Sequence, residues 1–468
     1  MLCAKPVDYL AECWQKQVPR HSALHLIYSE AEEKLYHAAE PWQTLKHAIA
    51  GSIWCTANSY AKLDTLKAAS GKLYFSRTQY SPEYLLFCNY GDTSLATITR
   101  SEWEEEVYDC ARYSPCILLD YFHEHQKEYT HKSEGPTELY SLTIHKTIVT
   151  LAVRRSDSLL ESARMLSADD LLGDIEDTLS YNDYQTASSI AVPCSIMISR
   201  KNGHVKGSVQ ISSITVSPEV PKLFDPSTEF KFAEEQPEKK PEVTVQKYSD
   251  RVHFINLAHT DSRSMVVEFP NYLVVVESPL ASKNGEMILD EIQKFAPNKP
   301  VQYFVFGHHH PWYLGGMRPF VHHGATVIST AADIPYIQYL ASAPHTLEPD
   351  SLQLEHRALK TQVIQDSLTI GDAEYQMKLF VIGKRSQHTN DYVVCYLPKE
   401  KLVFEGDLAW IPTEGAIKKA STRQVGLYNA VKELGLQVDT VVQAWPLKEY
   451  DVKTIFSFSD LETSVFAK

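Results

Sequence analysis

Three consecutive histidines, His308, His309 and His310, open the stretch His-His-His-Pro-Trp-Tyr-Leu-Gly-Gly that closes at Gly316. Side chains alternate in extended backbone, so His308 and His310 share one side while His309 points to the other. Two imidazoles on one side of a strand end make a partial metal site, histidine being the commonest zinc donor. A hydrogen-bonded histidine cluster without metal is the alternative. Either way, three imidazoles at the end of a buried strand are costly to leave without partners. His388 stands in a second such place, Gly-Lys-Arg-Ser-Gln-His-Thr, after an apolar run ending at Ile382. A hairpin beginning at Val393 then ends on Gly406-Asp407, which puts a carboxylate at another strand terminus.

These side chains need elements to hold them. Val301 to Gly307 is short, β-branched and aromatic, and reads as the strand that delivers the histidines. Gly315-Gly316 allows a tight turn, after which Met317 to His323 can start a helix. Around this stretch, strands are expected at Val252–Leu257, Ser264–Phe269, Tyr272–Glu277, Thr326–Ser329, Gln362–Ile364, Met377–Ile382, Tyr392–Leu397, Leu402–Glu405 and Thr440–Gln443. Helices are expected at Met287–Phe295, Ile334–Ser342 and Thr422–Leu434. Strands alternating with helices in two similar runs predict two sheets with helices packed outside them. The N-terminal half reads differently. Helices are expected at Tyr9–Gln17 and Glu30–Ala50, strands at Gly71–Tyr80, Glu83–Asn89 and Leu95–Arg100, a turn at Asn89–Asp92, and a helix capped by Ser101. A strand meander then follows over 136 to 217. Between the halves, Phe224 to Glu242 is rich in proline and charge and reads as a linker or surface wrap. The expected division is 1–223, a mixed sheet and helix domain; 224–247, a linker; and 248–468.

With those residues in hand, Val252 to Phe466 resembles the metallo-β-lactamase-fold superfamily, whose signature is His-x-His-x-Asp-His with Gly-Gly, then a distant His and a Gly-Asp. The N-terminal half resembles the sheet domain of one bacterial, mostly exported branch of it, through Gly173–Tyr184, Val192-Pro193 and Pro218–Pro221. The resemblance implies an α+β chain: a C-terminal αββα sandwich preceded by a curved antiparallel sheet with helices. It places His308, His310 and His388 on the first metal site, with Asp407 as the normally bridging ligand. The departures matter more. Trp312 and Tyr313 stand where an aspartate and a histidine are expected, and Trp445 or Ala444 where the last histidine is. A two-metal clamp is therefore not available. One zinc ion on three imidazoles leaves a position for water, with Asp407 as general base or water anchor. Tyr313 can orient a carbonyl or donate a proton, and Trp312 adds apolar bulk. His259, in the loop Ala258–Ser262, falls at the mouth of the site and is a candidate substrate contact.

Composition bounds the partners. The chain has 468 residues, 59 acidic and 45 basic, for a net charge of −14. No basic stripe is present for a nucleic acid, and no apolar stretch reaches the ~18–20 residues needed to span a bilayer. The eight cysteines lack any Cys-x-x-Cys pair and read as buried free thiols in a reducing compartment. The N-terminus shows no secretory pattern, which points to the cytoplasm, whereas the resemblance implies export. Two functions follow: a hydrolase of a small ester, lactone or amide with one metal, or an inactive relative binding a small molecule, lipid or protein. A concave N-terminal sheet would serve as a lid, a lipophilic cradle or a homodimer contact.

Overall fold

The computed structural model describes residues 7–36, 38–67, 71–89, 98–201, 205–224, 233–234 and 240–467. It separates into two compact units: one of Met1–Leu35, Thr44–Ala168 and Asp174–Pro237, the other of Tyr36–Gln43, Asp169–Gly173 and Glu238–Lys468. Two short segments of the N-terminal half thus group with the second unit. The expected linker falls largely outside the described residues.

The first unit is a twelve-stranded sheet in which the first strand pairs with the last. Ala23–Leu35 lies between Thr44–Cys55 and Lys206–Ser217, antiparallel to both. The helix expected over Glu30–Ala50 is therefore two strands. Leu24, Leu26, Tyr28, Glu30 and Glu32 are buried at every second position of Ala23–Leu35. The inward acids hid this alternation from the sequence, and they are held by Arg112, 2.7 Å from Glu32, and by the Tyr113 hydroxyl, which donates to Glu30 at 2.7 Å. The helix Arg100–Asp109 is capped by Thr99, not Ser101, through a reciprocal capping box with Glu102. The run Leu139 to Val153 is a hairpin, Thr137–Ile144 with Thr147–Arg154. Helices Tyr9–Gln17, Arg100–Asp109 and Cys116–Glu124 share one apolar core with the sheet.

The second unit has two sheets, of seven and six strands. In the first, Leu273–Val276, Val301–Val305, Thr326–Thr330 and Lys360–Ile364 run parallel. Leu273–Val276 is buried at all four positions, the pattern of a strand covered on both faces. In the second, Leu402–Glu405 pairs parallel with Thr440–Gln443. The sheets meet through rings such as Phe254 and Phe404, 6.4 Å apart. Helices Thr422–Glu433 and Phe458–Phe466 pack on the second sheet through Leu427, Ala430, Val431 and Leu461. Helix Ser282–Phe295 covers the first with Ile288, Leu289 and Ile292. This is a helix-flanked two-sheet sandwich, and the chain is of the α+β class. The strand Ser367–Gly371, the edge strand Ile455–Ser457 and the last helix had no counterpart in the sequence reading. Among the described residues no helix is long and apolar enough to cross a membrane. Among the described residues, seven cysteines are buried free thiols.

Candidate metal centre

The site lies in the second unit, where strands of both sheets end. After Val301–Val305 the chain is pinned by Glu277, whose Oε1 accepts the Gly307 N–H at 3.1 Å. A Cβ at position 307 would come within 2.8 Å of that oxygen, so the approach requires glycine. His308, His309 and His310 follow, and Pro311 starts the short helix Pro311–Leu314, a position where its missing N–H costs nothing. His388 follows a 3₁₀ turn, Gly383–Ser386, and its N–H donates to Ser386 Oγ at 3.1 Å. Asp407 follows the strand Leu402–Glu405. The Gly406 and Asp407 N–H groups both donate to the Tyr392 hydroxyl, at 2.9 and 3.1 Å. Tyr392 donates its single proton to Glu405 Oε2 (3.1 Å) or Asp407 Oδ1 (3.3 Å).

His308, His310 and His388 come together: their donor nitrogens all lie within 4.8 Å of one another. Ring centroids are separated by 4.6 Å (308 to 310), 4.8 Å (308 to 388) and 4.9 Å (310 to 388). His308 is fully buried, stacked on Tyr392 at 4.7 Å, and neither of its ring nitrogens has a hydrogen-bond partner. Burial, then the charges of His310 and His388, hold its pKa well below the usual histidine value. Burial also lowers His310 to about 4, although its Nε2 lies 3.1 Å from the Ala38 carbonyl oxygen. Both rings are therefore neutral at pH 7, the state in which imidazole binds a metal. An enclosed ring with two orphaned nitrogens is expensive, and a zinc ion would satisfy the one that carries the lone pair. The donor set fits the group.

Asp407 joins this cluster. Its Oδ2 is 3.1 Å from His388 Nε2, out of line for a hydrogen bond, and 3.2 Å from Arg423 Nη1. Arg423, in the first turn of Thr422–Glu433, was not anticipated; nothing local marks a residue sixteen positions beyond Asp407. Tyr313 is buried with its ring 4.2 Å from that of His308, and burial pushes its hydroxyl well above the ordinary tyrosine value. It can donate but not act as a base. Trp312 is 41% exposed and packs near Trp445, centroids 6.3 Å apart. His259 is bound to Asn284 Oδ1 at 2.8 Å and makes no ring contact or hydrogen bond with the three imidazoles.

His309 faces away from the triad, as the alternation predicts, and meets a carboxylate. Asp391 Oδ2 accepts the His309 backbone N–H at 2.8 Å, and both carboxylate oxygens lie 3.1 Å from Nδ1. Asp333 completes a buried group of three with ligand-like spacing. Burial and the neighbouring Asp391 raise the Asp333 carboxyl to about 9, so the pair carries one negative charge at neutral pH. The cluster ties the histidine stretch to the loop that bears His388. Glu277 is likewise structural, with burial raising its pKa well above the carboxylate range.

No family model matches the chain, and no curated protein matches it in sequence. Among solved structures it is similar to a metallo-β-lactamase from Pontibacter korlensis, at 18% identity and TM-score 0.34, over 48% of this chain and 97% of that one. The DIM-1 metallo-β-lactamase aligns at 16% identity and TM-score 0.34, over 48% of this chain and 96% of that enzyme. The mono-zinc form of FIM-1 from Pseudomonas aeruginosa aligns at 16% identity and TM-score 0.34, covering 49% and 95%.

Proposed function

We propose that the chain is a metallo-hydrolase-like protein that holds one zinc ion on His308, His310 and His388 and hydrolyses a small ester, lactone or amide. The observation that carries this reading is His308, enclosed between two further imidazoles with both ring nitrogens unsatisfied. A zinc ion held there supplies Lewis-acid chemistry, polarising a carbonyl and lowering the pKa of a water to about 7. The chain's own groups do the rest. Asp407 is either a further oxygen donor or the anchor of the attacking water. Tyr392 and Arg423 fix its carboxylate in place, at 3.3 and 3.2 Å. Tyr313, protonated, offers a hydrogen bond to a substrate carbonyl. Trp312 lines the approach on the solvent side.

A second reading has its own support. Asp407 is already engaged by Arg423 and Tyr392, which suits a structural role, and the site would then serve binding alone. Turnover of a panel of generic esters and lactones by the zinc-loaded chain separates the two. Hydrolysis that falls roughly 10²-fold or more in Asp407→Asn supports the enzyme. Equal rates in wild type and Asp407→Asn remove the carboxylate from the mechanism, and bound zinc with no turnover leaves the binding module.

A further inference from the structure

Four aromatic rings stand beside the candidate metal centre, drawn from three segments of the second unit. Trp312 follows His310 by two residues. Trp410 Nε1 donates to the Asp407 carbonyl oxygen at 3.2 Å, and the Trp445 N–H donates to the Gly406 carbonyl oxygen at 3.0 Å. Tyr450 completes the group. Centroid separations are 6.3 Å (Trp312 to Trp445), 5.8 Å (Trp410 to Trp445), 5.5 Å (Trp410 to Tyr450) and 5.6 Å (Trp445 to Tyr450). The pairs are inclined at 56°, 78°, 81° and 67°, so the rings pack edge to face as a cluster and not as a cage around an ion, and each exposed ring offers its own face. The cluster is not covered: Trp312 is 41% and Tyr450 61% exposed. Tyr450 and Asp451 both hold left-handed backbone, at φ 72° and 51°.

Arg423 is joined to these rings through Asp407, whose carbonyl oxygen accepts the Trp410 Nε1–H. Arg423 reaches Asp407 with Nη1 only, its side chain is 35% exposed, and its remaining N–H groups are left for a ligand. At the other end, a cleft of about 700 Å³ opens beside Trp410 and Tyr450, where Glu414 and Asp451 outnumber Lys418. A carboxylate is repelled from that end and attracted to Arg423, while the cleft has room for a second ring.

We propose that Trp312, Trp410, Trp445 and Tyr450 form a stacking subsite, with Arg423 as its anionic anchor, so that the ligand is a planar aromatic compound bearing a carboxylate. The proposal rests on the metal-centre reading for its chemistry but not for its binding. The test is calorimetric titration of the full chain with three probes: 2-naphthoate, its neutral amide 2-naphthamide, and the non-planar anion cyclohexanecarboxylate. Zinc content is measured on every sample. 2-Naphthoate binds most tightly. Trp312→Ala and Tyr450→Ala, both at exposed positions, each weaken it roughly five- to a hundredfold, the range for loss of one stacked ring. Arg423→Met weakens 2-naphthoate about tenfold and leaves 2-naphthamide unchanged, with Arg423→Lys intermediate. Equal affinity in the ring variants and wild type, or cyclohexanecarboxylate binding as well as 2-naphthoate, overturns the subsite. So does an absence of heat with 2-naphthoate. Ring-dependent binding by a chain that holds no zinc would instead sink the metal reading and leave the subsite standing.

Discussion

Neutral imidazoles and an orphaned ring support the proposed metal at His308, and the aim of that ring comes from the residue beside it. Asp391 takes both the backbone N–H and the ring of His309, and so fixes the rotation of the segment that carries His308 and His310. Removing such a support usually costs a metal site 10–100-fold in affinity. Asp391→Ala is expected to weaken zinc binding by about that factor, measured by competition with a chromophoric chelator, while all three imidazoles remain. A second residue-scale prediction concerns Asp350. Its carboxylate grips the buried Arg318 at 2.5 and 3.0 Å. Burial pushes the carboxyl up, but hydrogen bonds from Arg318 and Ser282 outweigh it and hold the pKa at about 2. A carboxyl lowered on folding binds fewer protons in the native than in the unfolded chain. Its contribution is therefore complete above about pH 4, the unfolded value, and is lost as pH falls towards 2. Asp350→Asn leaves the guanidinium without its counter-charge and is expected to cost roughly 3–5 kcal/mol at pH 7. In urea denaturation the gap between variant and wild type should narrow at pH 2–3; a constant gap would contradict the pairing.

At the scale of elements, the histidine stretch is positioned by a close approach of helix Ser282–Phe295 to the turn at Gly315-Gly316. A Cβ on Gly316 would come within 2.0 Å of Ser278 Oγ, and one on Gly285 within 2.2 Å of the Gly316 carbonyl oxygen. Gly316→Ala must displace the Ser278 side chain and crowd the first turn of the helix at Gly285, and is expected to cost about 1–3 kcal/mol, the usual range for overpacking, with zinc affinity falling in the same variant. Thermal denaturation beside a zinc titration checks both. The Gly-Gly pair was legible in the sequence, as was a strand over Tyr272–Glu277, because an unbroken apolar run such as Leu273–Val276 marks a buried strand; the parallel pairing was not. What failed was legibility across distance. Glu30–Ala50 reads as helix until Arg112 and Tyr113 are seen holding the inward Glu30 and Glu32, from about eighty residues away. Arg423 and Asp391 were missed for the same cause: each acts through a partner in another segment. His308, His310 and His388 were legible because each sits just beyond an apolar strand, and strand ends gather at one edge of a sheet.

For the whole molecule, a net charge of −14 sets the partners it repels. Electrostatic attraction supplies nearly all non-specific nucleic-acid affinity, so the chain is expected to pass a heparin column unretained at 0.1 M salt; retention released by salt would reveal a basic surface. The central claim is the convergence of residues 308, 310 and 388 on one cation. It is tested most directly by elemental analysis of the purified full chain and of His308→Ala, His310→Ala and His388→Ala. The account predicts about one zinc per chain in the wild type and near zero in each variant, with all four proteins folded by circular dichroism. A folded wild type without metal after zinc loading, or a stoichiometry untouched by these substitutions, would contradict it.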